Sequence, residues 1–106
     1  MTSLNCITIN VRGLRNLKKR DALFEYLKNK KIDIACLQET YCTSEFQDCF
    51  KSNWKGNIFH SFSNSVHSRG VCIMFSENMD LKVINVHTDS DGRKILLNVE
   101  INNVYY

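Results

Sequence analysis

The chain has 106 residues, of which 43% are hydrophobic and 24% charged, a composition typical of one soluble globular domain. Its longest uninterrupted apolar run covers residues 71–75, far short of the ~20 residues that cross a bilayer. The opening residues lack the charged and apolar regions of a signal peptide. We therefore expect no membrane partner, and a nuclear or cytoplasmic rather than a secreted protein.

The five cysteines support the same location, because they form an odd set without a Cys-x-x-Cys pair. Three of them, Cys6, Cys36 and Cys72, lie in apolar stretches. This pattern predicts reduced, buried thiols in a cytosolic or nuclear protein.

Positive charge is concentrated in residues 12–31, which contain eight basic and two acidic side chains, while the remainder of the chain has six basic and nine acidic ones. A basic segment of this kind suits a polyanion such as DNA, because the release of counterions from phosphates favours binding. A solvated helix face explains the same charges equally well.

The first part of the chain predicts a βαβ unit over residues 4–39. Residues 4–10 alternate between apolar and polar side chains, as in a strand, and Asn16 is placed to cap a helix that starts near Leu17. Residues 32–37 are nearly all apolar, as in a strand covered on both faces.

The rest of the chain predicts a mixed connection over residues 43–69, with a short helix around 44–51 and a strand near 57–62. Three strand-like runs, 71–75, 81–86 and 95–101, then predict an antiparallel meander over residues 70–106. Asn102 and Asn103 suit a two-residue hairpin turn. Because the strand after this turn stops after three residues, we expect the sequence to be the front part of a larger domain.

Two polar side chains are expected to meet at one edge of this sheet. The strands of a βαβ unit are parallel, so their carboxyl ends lie at the same edge, where open α/β sheets bind ligands. Asn10 ends the first strand and Glu39 follows the second. A carboxylate there suits a hard cation such as Mg²⁺, although by geometry alone a solvated charge at a strand end is the favoured interpretation.

Three motifs make the sequence recognisable. They are TINVRGL at residues 8–14, LQET at residues 37–40 and GVCIMF at residues 70–75. In this order they resemble the opening motifs of the endonuclease/exonuclease/phosphatase superfamily. The sequence looks most like the apurinic-type endonuclease domain of LINE-type (non-LTR) retrotransposons. The resemblance implies the N-terminal half of a truncated two-sheet α/β sandwich.

The resemblance also implies roles for particular residues. Glu39 matches the glutamate that binds the catalytic Mg²⁺, with Mn²⁺ as an alternative ion, and Asn10 matches the active-site asparagine. Thr40 and Tyr41 lie where the family begins a loop near the DNA. Arg12 is a departure, since repair endonucleases have an acidic residue there; a cation suits a phosphate and favours the retrotransposon interpretation.

Later motifs of the family do not occur in the sequence: an Asp-x-Asn, a Ser-Asp-His and a phosphate-contacting tyrosine. Hydrolysis of a phosphodiester needs a positioned nucleophile and charge stabilisation besides a metal. The hypothesis is therefore a fragment of a Mg²⁺-dependent DNA endonuclease that nicks DNA for retrotransposition and has little activity alone. Its expected partners are DNA and either the C-terminal half of the domain or a reverse transcriptase of the same polyprotein. The inner face of its sheet is expected to expose apolar surface.

Two other functions remain open at this point. A non-catalytic nucleic-acid-binding module would use the basic segment 12–31 and would not need Glu39. A fragment of an apurinic/apyrimidinic repair endonuclease, or of an exonuclease III-like enzyme, would share the same motifs and differ in its substrate.

Overall fold

A computed structural model of the chain describes residues 3–106, which form two β-sheets and two α-helices. The elements in chain order are β1 (Cys6–Asn10), α1 (Leu17–Asn29), β2 (Ile34–Gln38), α2 (Gln47–Asn53), β3 (Ile58–Ser61), β4 (Val71–Phe75), β5 (Leu81–Thr88), β6 (Ile95–Ile101) and β7 (Val104–Tyr105). A single 3₁₀ turn, Ser44–Phe46, leads into α2.

The first sheet has four strands in the order β1-β2-β4-β3. β1 and β2 are parallel and are connected by α1, which gives the strand-helix-strand unit that residues 4–39 predict. The helix begins where its sequence indicates, because Oδ1 of Asn16 accepts a hydrogen bond of 3.0 Å from the amide of Lys19. In this register Asn10 lies beside Gln38 at the carboxyl ends of both strands.

The predicted meander over residues 70–106 requires a correction. β4 lies between β2 and β3 in the first sheet and pairs antiparallel with both, so only β5, β6 and β7 form a meander. The physical reason is that every residue of β4 is apolar and a central strand covers both of its faces. The two-residue hairpin turn is present, with Asn102 at φ 51° and Asn103 at φ 69°.

One hydrophobic core lies between the first sheet and the two helices. Phe24 and Leu27 of α1 and Phe50 of α2 are buried against strand side chains that include Leu37 and Met74. Trp54, at the end of α2, packs its ring 5.5 Å from that of Phe24, and its indole Nε1 donates a 2.9 Å hydrogen bond to the carbonyl of Phe75. The aromatic side chains of residues 46–62 therefore serve packing, as core residues do.

A second, smaller core lies between the two sheets. Phe75 of β4 is buried against Val99 and Ile101 of β6, with Ile73 and Leu81 packed around them. The sheets thus face each other, and the α/β sandwich predicted from the sequence is confirmed. Three strands of the second sheet are present in residues 3–106.

This second sheet is only partly covered. Residues directly opposite each other on paired strands share one face, and this places Val83 beside Val99, Val86 beside Leu97 and Val104 beside Ile101 on the inner face. Val83, Val86 and Val104 are nevertheless 38%, 47% and 50% exposed. Apolar surface is exposed, as the sequence predicts, but these residues belong to the second sheet and not to the sheet for which it was predicted.

The cysteines are free thiols, as predicted, but they are not all buried. Cys42 and Cys72 are buried, and burial raises the pKa of the Cys42 thiol to about 12. Cys6 is exposed, contrary to the prediction, and it lies on β1, an edge strand of the first sheet. Within residues 3–106, no helix has the length and apolar character needed to cross a membrane.

Candidate active site

The structure brings Asn10 and Glu39 together at the carboxyl edge of the first sheet. Nδ2 of Asn10 donates a hydrogen bond to the carboxylate of Glu39. The other end of the same amide, Oδ1, accepts a 3.2 Å hydrogen bond from the backbone amide of Arg12. Asn10 is therefore fixed at both ends, and it orients the carboxylate of Glu39, which is half-buried.

Backbone hydrogen bonds continue past the strand ends and form the floor of this site. The amide of Leu14 donates to the carbonyl of Thr40, and the amide of Thr40 donates to the carbonyl of Gly70, each over 2.9 Å. Three loops, which follow β1, follow β2 and precede β4, are thus tied side by side. The edge is a rigid platform rather than a set of independent loops.

Several residues of this platform have left-handed backbones. The φ angles of Arg12, Glu39 and Tyr41 are 50°, 55° and 58°. Residues other than glycine adopt this conformation rarely, and those that do are concentrated at functional sites. The left-handed turn at Glu39 directs its side chain toward Asn10, a detail that no local sequence signal indicates.

The predicted contact between Thr40 and nucleic acid requires a correction. The side chain of Thr40 is fully buried, and its Oγ1 accepts a 3.2 Å hydrogen bond from the amide of Cys42. A Cβ atom on Gly70, which has a φ of +86°, would lie 2.5 Å from this oxygen. Thr40 therefore packs the platform from within and does not reach a ligand. Tyr41 is half-buried and Arg12 is exposed, so both remain candidates.

The prediction that the basic segment 12–31 is available to a polyanion also requires a correction, because Arg20 within it is buried. Its side chain is only 4% exposed. Its guanidinium donates hydrogen bonds to the carbonyls of Leu14 (3.0 Å) and Arg15 (3.1 Å) and to Oδ1 of Asn53 (3.0 Å). Arg20 thus secures the loop after β1 to α2 and is unavailable to a polyanion.

Three residues near the site were not singled out from the sequence. Gln38, beside Asn10, donates a 2.8 Å hydrogen bond from Nε2 to Oγ1 of Thr8. Gln38 also lines a cleft of about 320 Å³, whose lining includes Arg93 and Lys94 from the turn between β5 and β6. The sequence could have indicated these two cations, because they directly follow the turn residues Asp-Ser-Asp-Gly.

A larger cavity, of about 570 Å³, is lined by Asp33, Trp54 and Ser76 among others. Asp33 immediately precedes β2 and Ser76 immediately follows β4. The cavity therefore lies at the opposite edge of the sheet from Asn10 and Glu39, and it does not belong to the candidate site.

The donor set at the edge suits a hard cation that keeps most of its waters. Glu39 supplies one carboxylate, which the amide nitrogen of Asn10 orients, while residues 3–106 contain no group of three or more His, Cys, Asp or Glu side chains that could hold a metal ion. Mg²⁺ binds to proteins through one or two carboxylates and completes its shell with water and substrate phosphates. The residues fit such a site, and they do not fit a closed zinc cage.

The fold and this edge define the class of the protein: a two-sheet α/β sandwich with an oxygen-donor site where its parallel strands end. The sequence profile of the Endonuclease/Exonuclease/phosphatase family matches residues 7–105. The chain therefore belongs to that family, as the motifs around Asn10 and Glu39 predict.

A relative in sequence is the Transposon TX1 uncharacterized 149 kDa protein of Xenopus laevis, which is 28% identical over 97 residues. This match covers 92% of the chain and 7% of the frog protein. The chain thus corresponds to a small part of that relative.

Two solved structures share the fold. A functionally unknown conserved protein from Enterococcus faecalis V583 superposes with a TM-score of 0.63 at 14% identity, over 91% of this chain and 47% of that protein. The human Nocturnin catalytic domain, solved with a bound sulfate anion, superposes with a TM-score of 0.56 at 17% identity, over 93% of this chain and 44% of that domain. The chain spans about half the length of each.

Proposed function

We propose that the chain is the N-terminal part of a divalent-metal-dependent DNA endonuclease. The observation that supports this most directly is the hydrogen bond between Asn10 and Glu39 at the edge where the parallel strands end. Membership of the Endonuclease/Exonuclease/phosphatase family agrees with a phosphodiester substrate.

In this proposal Glu39 binds Mg²⁺, or Mn²⁺, and Asn10 keeps the carboxylate in one orientation. A bound divalent ion would polarise a phosphoryl oxygen and stabilise developing negative charge. Arg12 is exposed beside the pair, with its backbone amide bonded to Asn10, and is placed to contact a neighbouring phosphate. Tyr41 flanks the same loop and contributes to the DNA-facing surface.

The same proposal implies that these residues do not complete the reaction. A nucleophilic water must be deprotonated and the leaving oxygen stabilised, and the sequence lacks the family's Asp-x-Asn and Ser-Asp-His motifs. His87, which is exposed and paired with Leu96 on β5 and β6, lies outside this arrangement. The 106-residue chain is therefore proposed to nick DNA little or not at all alone.

We further propose a retrotransposon origin, in which the complete enzyme nicks one strand and leaves a 3′-hydroxyl for a reverse transcriptase of the same polyprotein. The support is the similarity to a transposon protein and the cation at Arg12. A repair-type endonuclease is the alternative within the family. Cleavage of intact duplex by a parent polyprotein supports the retrotransposon proposal, and cleavage restricted to abasic DNA contradicts it.

A metal titration of the chain tests the site. In ¹⁵N–¹H NMR spectra, Mg²⁺ should shift the amides of residues 10–13 and 38–41, and Mn²⁺ should broaden the same signals. Glu39→Gln should abolish both effects, while the control Glu77→Gln, at an exposed glutamate, should leave them unchanged. Metal effects that persist in Glu39→Gln would contradict the proposal.

A plasmid assay tests the proposed inactivity. Supercoiled DNA incubated with the chain and Mg²⁺ should remain supercoiled. Metal-dependent conversion to open circles, abolished by Glu39→Gln, would show that the chain is a complete nuclease.

A non-catalytic nucleic-acid-binding module is the second candidate, and three exposed cations favour it: Arg12 in the loop after β1, and Lys18 and Lys19 at the start of α1. It predicts a steeply salt-dependent affinity for DNA. That affinity should survive Glu39→Gln even where Mg²⁺ binding is lost.

A further inference from the structure

The turn between β5 and β6 is fastened to the first sheet by Asp89. Oδ1 of Asp89 accepts hydrogen bonds from Oγ of Ser61 (2.7 Å) and from the backbone amides of Arg93 (3.0 Å) and Lys94 (3.2 Å). These donors lower the pKa of the Asp89 carboxyl to about 2. Ser61 is buried at the end of β3, so the turn is anchored to a fixed point.

Two further hydrogen bonds secure the same turn. Nδ2 of Asn64 donates to the carbonyl of Ser90 over 3.0 Å, and the amide of Gly70 donates to the carbonyl of Gly92 over 2.8 Å. Gly70 also bonds to Thr40 in the platform beneath Glu39. The turn is therefore connected to the candidate active site through one residue.

This arrangement places two cations beside the site. Arg93 and Lys94 are exposed and line the 320 Å³ cleft together with Gln38 and Val71. The Asp89 carboxylate bonds to their backbone amides and not to their side chains, so these bonds leave both side-chain cations available. Gln38 pairs with Asn10 on the neighbouring strand, so the cleft begins one strand away from Asn10 and is lined on its other side by the start of β6.

We propose that Arg93 and Lys94 bind backbone phosphates of the DNA along this cleft, and that Asp89 is the positioning residue that aims them. This inference rests on the proposed function, because it gives the DNA substrate a second contact surface, on the opposite sheet from Arg12. Binding of backbone phosphates requires positive side chains that are held in place beside a groove. The two cations meet this requirement, because no acidic side chain of residues 3–106 neutralises them and their backbone is fixed.

Fluorescence anisotropy of a labelled duplex oligonucleotide, in EDTA, tests the contact surface. Arg93→Gln/Lys94→Gln should weaken binding about tenfold and lower the slope of log affinity against log salt by about 2. The control Lys30→Gln/Lys31→Gln removes the same charge from an exposed adjacent pair at the end of α1, and it should change affinity and slope much less. Equal losses in the two variants would overturn the proposal.

The role of Asp89 is tested by comparing Asp89→Asn with Asp91→Asn. Both substitutions remove one negative charge from the same turn, so bulk electrostatics predicts tighter DNA binding in both. Positioning predicts weaker binding for Asp89→Asn alone. Tighter binding in both variants would overturn the positioning role, and the double cation variant still tests the surface if Asp89→Asn fails to fold.

The outcomes also separate this inference from the proposed function. If the wild-type chain does not bind duplex DNA at low salt, the DNA substrate and this surface are both overturned. If it binds, and Glu39-dependent Mg²⁺ binding is present while the two double variants behave alike, only this inference is overturned.

Discussion

Gly13 lies directly against the ring of Tyr41: a Cβ atom on Gly13 would be 2.5 Å from Cδ2 of that ring. Gly13 also has a φ of +91° and donates a 2.6 Å hydrogen bond from its amide to the carbonyl of Glu39. The loop after β1 and the loop after β2 therefore fit together only when this position has no side chain, and the orientation of Glu39 depends on that fit.

Substituting Gly13→Ala should consequently disturb both the fold and the site. The positive φ and the contact with Tyr41 together should cost more than about 1 kcal/mol of the free energy of unfolding. Urea unfolding measures this loss, and NMR spectra should show shifts at Arg12 and Glu39. A Gly13→Ala chain as stable as the wild type, with unchanged shifts, would contradict the described fit.

Asn10→Ala should weaken Mg²⁺ binding while leaving the carboxylate of Glu39 in place. Removing the partner that orients a metal-binding side chain costs at least roughly tenfold in metal affinity. The measurement is the NMR titration with Mg²⁺, and the matched control is Asn98→Ala, an exposed asparagine on β6. Equal Mg²⁺ affinities in the two variants would show that Asn10 does not orient Glu39 for a metal.

His60 should make the fold sensitive to mild acid. Its Nδ1 is buried and has no hydrogen-bond partner among residues 3–106, and its ring stacks 4.9 Å from that of Phe62. Burial, aided by the charge of Lys51, lowers the pKa of His60 from 6.5 to about 4. Because the folded pKa lies below the unfolded one, this contribution is complete above pH 6.5 and is lost as the pH falls toward 4.

The loss should amount to at most about 3 kcal/mol, measured by urea unfolding between pH 7 and pH 4.5. His60→Phe should flatten the pH dependence in this window, whereas His67→Gln, at an exposed histidine, should not. Asp89 does not affect this measurement. Its pKa is about 2 in the folded protein against an ordinary value of 3.8, so its contribution to the free energy of unfolding is lost only below this pH window. An unchanged slope in His60→Phe would contradict the assignment.

Arg20→Met should destabilise the fold far more than the same charge removal on the surface. It leaves the carbonyls of Leu14 and Arg15 without their buried charged donor, a loss on the order of 3 kcal/mol. Lys18→Met, at an exposed position of α1, should change stability by less than about 0.5 kcal/mol. If both variants unfold at the same urea concentration, Arg20 has no structural role.

Local signals predicted the elements that lie close in sequence. The alternation before Asn10, the cap at Asn16 and the apolar run before Gln38 all correspond to features of the structure. The proximity of Asn10 and Glu39 also followed from these local signals, because a right-handed crossover between parallel strands places both carboxyl ends at the same edge of the sheet.

The remaining features depend on partners that are distant in sequence. The prediction that residues 71–75 join a meander was wrong because neighbours along the chain were assumed to be neighbours in the sheet. The uninterrupted apolar character of β4 was the available sign of a central position. Contacts among three adjoining loops determine the left-handed backbone of Glu39 and the burial of Thr40. No local sequence pattern predicts either feature.

The strand order β1-β2-β4-β3 also determines how the protein can form during its synthesis on the ribosome. β4 is the last of these four strands to be translated, yet it occupies the place between β2 and β3. Until residue 75 has left the exit tunnel, β3 has no neighbour to pair with and Trp54 has no carbonyl of Phe75 to bond. The nascent chain can therefore assemble β1, α1, β2 and α2 beforehand, and the arrival of β4 completes the sheet.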